Sequence, residues 1–174
     1  MTRNLMTQQN SDYLNLWPTT VYKSTFEVNE DMIISAMQKE IHQSIYDLSL
    51  KYFDDYLKEV IGISLYDYKG YRLDSWINRY ENTDMEYHTH NGSQLSAVFY
   101  LVVEGDGGEI TFYDPRFFAA RGYDMNFRKL HSNFVLKPSS GDFVIFPSFL
   151  YHSVKISKGF KISIPVDLFL FNDN

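Results

Sequence analysis

Tyr87-His88-Thr89-His90-Asn91-Gly92-Ser93-Gln94-Leu95-Ser96-Ala97-Val98-Phe99-Tyr100-Leu101 is the stretch around which the chain is organised. A β-like run ends in two histidines one residue apart, a Gly92-Ser93 turn follows, and a second β-like run begins at Leu95. Residues i and i+2 of a strand face the same side, about 6.6–7 Å apart. Two imidazoles so placed can converge on one small cation if they face an enclosed space. A third histidine, His152, lies in Phe146-Pro147-Ser148-Phe149-Leu150-Tyr151-His152-Ser153-Val154. His88, His90 and His152 are the expected metal site.

Downstream of this stretch, and just before it, the pattern is strand after strand. The β-like runs are 73–80, 85–90, 95–103, 109–113, 133–136, 142–146, 151–156 and 160–171. Turn residues separate them at Gly105-Asp106-Gly107-Gly108, Lys137-Pro138-Ser139-Ser140-Gly141 and Ser157-Lys158-Gly159. Upstream the period changes. Met32, Ile33, Ala36, Met37, Ile41, Ile45 and Leu48 form the stripe of one amphipathic helix, capped by Asn29 or Asp31. A second helical pattern runs from 52 to 61 and stops near Gly62. Residues 1–13 are polar and expected to be loose, and a short strand is expected after Pro18. Eight strands behind a helical support (29–62) predict one mainly β domain over residues 1–174. Its core, residues 72–171, is a double-stranded β-helix, the jelly-roll or cupin-like barrel.

The 174-residue chain is 44% apolar and 17% aromatic, with 14 Tyr and 14 Phe, which suits a β-rich core and not a disordered chain. A net charge of −6 without a basic run argues against a nucleic-acid partner. No apolar run approaches the ~18 residues of a membrane span. Cysteine is absent, so disulfides, thiolate metal sites and cysteine nucleophiles are excluded. With no signal-peptide pattern at the N-terminus, the expected location is the cytoplasm.

The last β-like runs add a cation and a hydroxyl. With a two-residue turn at Ser157-Lys158 or Lys158-Gly159, His152 would share a hairpin face with Lys161 and Ser163, while Ile162, Ile164 and Val166 point away. A lysine between apolar neighbours needs a partner, and an anionic ligand is the candidate. On the run after the histidine pair, Ser96, Val98, Tyr100 and Val102 are the expected cavity side, and Leu95, Ala97, Phe99 and Leu101 the other. Asn78 is a polar residue in mid-strand and a candidate contact for a ligand. Residues 114–132 hold Arg116, Arg121, Arg128, Lys129 and His131 and are the candidate mouth loop for an anionic substrate. His42 is expected on a helix surface, Asp106 and Glu109 at turns and edges, and Asp142 in a structural turn.

This arrangement resembles the 2-oxoglutarate- and Fe(II)-dependent oxygenases, whose pattern is His-x-Asp/Glu, a later His, and a basic residue about nine positions on. Lys161 is nine positions after His152, and Ser163 two further. Tyr100-Leu101 with Gly107-Gly108-Glu109-Ile110-Thr111-Phe112 is similar to the prolyl-hydroxylase-type strand pair. The likeness is closer to a bacterial and phage subfamily. It is carried by Trp76-Ile77-Asn78, His88-Thr89-His90, Leu95-Ser96 to Tyr100-Leu101, Asp114-Pro115, Gly141-Asp142 to Phe146-Pro147 and His152-Ser153-Val154, in that order over residues 72–168.

The resemblance implies a dioxygenase with Fe(II) held by His88, His90 and His152. Lys161, Ser163 and Tyr100, with Asn78 nearby, would hold 2-oxoglutarate. Turnover would release succinate and CO₂ and hydroxylate a peptidyl or small-molecule substrate, in the host cytoplasm if the chain is phage-encoded. Two positions depart from the pattern. Lys161 replaces the usual Arg, and His90 stands where a carboxylate is usual, with Glu86, of the same strand parity, as the substitute carboxylate. A three-histidine cupin dioxygenase that does not use 2-oxoglutarate and a non-catalytic jelly-roll binding module are the alternatives.

Overall fold

The computed structural model describes residues 19–116 and 133–172. The expected loose N-terminus, Pro18, and Arg121, Arg128, Lys129 and His131 of the candidate mouth loop lie outside the described residues.

Asn29 caps helix α1 (Glu30–Met37), its side-chain oxygen accepting the Met32 N–H at 2.9 Å. The stripe does not continue as one helix to Leu48. Lys39 adopts a left-handed φ of 67°, and the chain restarts as α2 (Gln43–Val60). His42 is therefore not a helix-surface residue but the N-cap of α2, with Nδ1 accepting the Ser44 N–H at 3.3 Å. The 52–61 pattern is the second half of the same helix. A helix that restarts in phase keeps its apolar stripe, so periodicity alone does not register the break.

Among the described residues the strands are β1 (Tyr22–Thr25), β2 (Gly70–Ser75), β3 (Asn78–Tyr80), β4 (Met85–His88), β5 (Leu95–Val103), β6 (Asp106–Gly107), β7 (Ile110–Phe112), β8 (Phe134–Leu136), β9 (Asp142–Pro147), β10 (His152–Val154), β11 (Ser157–Lys158) and β12 (Lys161–Phe171). The larger sheet has the order β1-β9-β5-β12-β2, with β3 also on β12, and the smaller has β4-β10-β7-β8. All pairings are antiparallel. Two facing antiparallel sheets, one carrying helices on its outer side, make the expected double-stranded β-helix.

Three local expectations are corrected. The 73–80 run is two strands, β2 and β3, broken at Trp76-Ile77 opposite Pro165. An antiparallel residue points its N–H and C=O at the same neighbour. The Pro165 carbonyl accepts the Trp76 N–H at 3.3 Å, so the donor that proline lacks is missing from this side. The alternation of β5 fails at its end, because a bulge lets Ser163 pair with Tyr100 and Ile162 with Val102. Val102 thus joins Leu101 on the helix side, and Val103 turns inward.

The third correction concerns the supposed last hairpin. β10 and β12 do not pair; they belong to different sheets. Ser157-Lys158 is not a turn but the short strand β11, paired with Gly107 and Asp106 of β6. Gly107, at φ 88°, permits that approach, since a Cβ there would run into the Ile156 carbonyl oxygen.

The larger sheet is covered on both faces, which is why β5 and β9 read as near-continuous apolar runs. Ala97, Phe99, Phe143 and Ile145 pack outward against Met32, Ile45, Phe53 and Leu57 of the helices. Val98, Val144 and Phe146 pack inward against Ile110, Phe112 and Leu136 of the smaller sheet. No helix among the described residues is long and apolar enough to cross a membrane.

Phe143, fully buried, stacks on Phe99 at 5.3 Å and meets the Tyr52 ring of α2 at 4.4 Å. Phe143→Ala is expected to cost about 3–5 kcal/mol, read as a lowered midpoint in denaturant unfolding.

Candidate metal centre

His88 closes β4 and stands directly opposite His152, the first residue of β10. His90 lies just past the strand end, its backbone N–H held by the Ser148 carbonyl at 3.1 Å. One ring nitrogen from each histidine lies within 4.8 Å of the other two. The His152 ring centroid is 4.2 Å from that of His88 and 5.2 Å from that of His90.

The other nitrogen of each ring decides what the centre can do. Nδ1 of His88 faces the Glu86 carbonyl at 2.6 Å, Nδ1 of His152 the Leu150 carbonyl at 3.0 Å, and Nδ1 of His90 the Asp167 carboxylate at 2.7 Å. All three partners accept, so each Nδ1 carries the proton and each Nε2 keeps its lone pair. Burial pushes the pKa of His152 down to about 4, aided by the neighbouring histidines and opposed by the Leu150 hydrogen bond. A neutral imidazole is the form that binds a metal.

Glu86 does not supply a carboxylate. His152 pairs with His88 but Val154 pairs with Met85, so β4 carries one extra residue between these pairs. That bulge turns Met85 inward and Glu86 out to solvent. The parity linking Glu86 to His88 is lost there. The buried carboxylate near the centre is Asp167, which the sequence reading missed. The alternation Lys161, Ser163, Pro165, Asp167 along β12 was the available signal, since all four share the inward parity.

The three histidines open into one cavity of about 380 Å³, counting the part open to solvent. Lys161, Ser163, Tyr100 and Asn78 all line it, as expected, although His152 reaches it from the opposite sheet. Asn78 pairs with Ser163, and Tyr80 with Lys161, across β3 and β12. Lys161 is 1% exposed and donates to the Gly108 carbonyl at 3.0 Å. Its Nζ lies 4.9 Å from the Tyr100 ring centroid and 5.8 Å from that of Tyr80. Gly108 allows this seat, since a Cβ there would come within 3.2 Å of Nζ.

Burial pushes the Lys161 pKa down to about 8, with Glu109, the residue just before β7, opposing. Burial also raises the Tyr80 hydroxyl to about 12 and that of Tyr100 further, so both keep their protons and are available as donors at neutral pH. Trp76, 38% exposed, sits at the cavity with its ring 5.5 Å from His90. Asp106 is exposed in β6, and Asp142 anchors its turn through the Ser139 N–H and Lys23. Arg116 spends its guanidinium on Asp114.

Residues 74–167 match the model of a family described as "Putative 2OG-Fe(II) oxygenase". The chain belongs to this family. Its members are oxidoreductases that use Fe(II) and 2-oxoglutarate. No curated protein matches the chain. Among solved structures, a prolyl-4-hydroxylase from Pseudomonas putida aligns with a TM-score of 0.57 at 16% identity, covering 88% of this chain and 86% of that one. An oxidoreductase of the 2OG-Fe(II) oxygenase family from Burkholderia pseudomallei aligns with a TM-score of 0.49 at 16% identity. That alignment covers 66% of this chain and about half, 49%, of the Burkholderia chain. At such identity the Pseudomonas likeness is one of fold, and the fold is the double-stranded β-helix.

The donor set of this oxygenase fits its family's metal. Three neutral imidazoles with free Nε2 atoms, fixed from behind and open to a cavity on one side, suit an ion that must keep positions free for other ligands. The buried neutral His152 also links the site to stability. The unfolded chain takes up its proton near 6.5 and the folded one only near 4, so metal-free protein should lose about 3 kcal/mol as pH falls through that window. Denaturant unfolding at a series of pH values checks this, and His152→Phe should flatten the dependence.

Proposed function

We propose that this oxygenase hydroxylates a C–H bond of a peptidyl or small-molecule substrate, with His88, His90 and His152 as metal ligands and Lys161, Ser163, Tyr100 and Asn78 as the co-substrate seat. The observation that carries this is the pairing, within one cavity, of three free imidazole nitrogens with a buried lysine bonded to a neutral carbonyl. When bound, Fe(II) lets O₂ oxidise 2-oxoglutarate to succinate and CO₂, with the second oxygen atom entering the substrate C–H bond.

The chain's own residues prepare the site. Lys161 exchanges its Gly108 carbonyl for the distal carboxylate of the co-substrate, a stronger, charge-assisted partner. The Ser163 and Tyr100 hydroxyls add donors to the same group, and Asn78 adds an amide beside Ser163. Phe112, Phe146, Val98 and Ile110 keep the surroundings apolar, which strengthens each of these contacts. Trp76 offers a half-open aromatic face beside His90, where the substrate enters.

The three-histidine set also favours a second reading, a metal dioxygenase in which Lys161 meets the substrate's own carboxylate. Binding of 2-oxoglutarate separates the two. Iron-loaded protein supplied with 2-oxoglutarate and O₂ is expected to form succinate, and its absence with every candidate substrate would sink the first reading. Lys161→Ala should weaken 2-oxoglutarate binding by about 2–5 kcal/mol, at least 30-fold by calorimetry.

The same titration has a predicted pH profile. The ammonium is the binding form, so affinity holds below about pH 8 and then weakens about tenfold per pH unit. A profile flat to pH 10 would remove Lys161 from the seat.

A further inference from the structure

Asp167 lies on β12 with its side chain only 10% exposed, and its Oδ1 is 2.7 Å from Nδ1 of His90, itself 7% exposed. The Ser96 hydroxyl donates to the same Oδ1 at 2.7 Å. Behind it, Ser96, Ser148 and Ser93 form a chain of hydroxyls with 2.8 Å contacts. Among the described residues no Lys or Arg pairs with this carboxylate; its partner is His90.

A buried charge without an opposite charge is costly. His88 and His152 are backed by neutral carbonyls, so only His90 is backed by a charge. A cation on the free Nε2 of His90, where the cavity opens, would set a positive charge against this carboxylate through the ring.

We infer that Asp167 supplies the candidate metal centre with its negative charge through the imidazole of His90, in place of a carboxylate bound directly to the metal. This rests on the ligand assignment proposed above. Asp167 is thus a positioning residue with an electrostatic task. Its hydrogen bond fixes the His90 tautomer and makes Nε2 a stronger donor, and its charge offsets part of the charge of a bound divalent ion. The consequence is a pair of opposite effects. Removing the charge weakens the hold on the cation, and leaves the loaded metal more attractive to an anion. A carboxylate that only kept His90 in place would move both affinities in the same direction.

The test is anaerobic calorimetry of the whole chain with Fe(II), then of the iron-loaded protein with 2-oxoglutarate. Asp167→Asn keeps an acceptor oxygen for Nδ1–H and removes the charge. It is expected to lower Fe(II) affinity about 10–100-fold and to raise 2-oxoglutarate affinity once loaded. In a His90→Asp background, where a carboxylate reaches the metal directly, adding Asp167→Asn should change Fe(II) affinity less than about threefold. Unchanged Fe(II) affinity in Asp167→Asn, or a joint fall of both affinities, overturns the inference and leaves the proposed activity standing.

No Fe(II) uptake by the unaltered protein overturns both. Metal uptake that survives in His90→Gln but not in His88→Gln or His152→Gln overturns the inference by removing His90 from the ligands. If Asp167→Asn does not fold, Ser96→Ala serves instead. It leaves the charge and frees Oδ1 from a competing donor, so Fe(II) affinity should hold or rise. A loss of tenfold or more there overturns the inference.

Discussion

Three hydrogen bonds on the far side of three imidazoles hold the candidate centre together. Each Nδ1–H is tied to an oxygen supplied by a different part of the fold: the Glu86 carbonyl in β4, the Leu150 carbonyl ahead of β10, and the Asp167 carboxylate of β12. A histidine ring free to rotate offers a metal either nitrogen or neither. Tied from behind, it offers one lone pair in one direction. Two of these acceptors are backbone groups placed by the smaller sheet, and the third comes from the larger. The centre is complete only when both sheets are in register.

β12 shows how a single strand can serve both ends of a cavity. Its inward positions run from Lys161 through Ser163 and Pro165 to Asp167, so the seat for an anion and the support of a histidine belong to one rigid ladder. The outward positions, Ile162, Ile164, Val166 and Leu168, are all fully buried against the helical layer. Sliding the strand by one residue would place lysine and aspartate in the apolar core, so the core that stabilises the sheet also specifies its register. Pro165 adds to this by opening the ladder toward β2 and β3, which frees Trp76 to reach the cavity.

Much of this was legible in the order of residues. The strand spacing and the shared face of Lys161 with Ser163 follow from period-two alternation, whereas the meeting of His152 with the His88–His90 pair is what the family resemblance implies. At Glu86, Val102 and the supposed last hairpin, an extra residue or a change of partner strand was responsible for the departure. The bulge in β4 turned Glu86 outward, the bulge in β5 turned Val102 toward the helices, and β11 turned a supposed hairpin into a crossing between sheets. Alternation tells which side of a strand is apolar, but it does not say which strand lies next to it. Asp167 escaped notice for a related reason: its role depends on a residue 77 positions earlier that meets it only across the barrel.

The direct pairing of His88 with His152 has one more consequence. β4 is the outermost strand of the smaller sheet, and β10 is its neighbour. An ion held by both rings would act as a rivet across that seam, closing an edge that hydrogen bonds over a few residues hold only weakly. Loading the centre and sealing the barrel are then one equilibrium. A chain starved of its ion would present a frayed edge to proteases and chaperones, and the cell would sense its readiness for catalysis as firmness of a single strand.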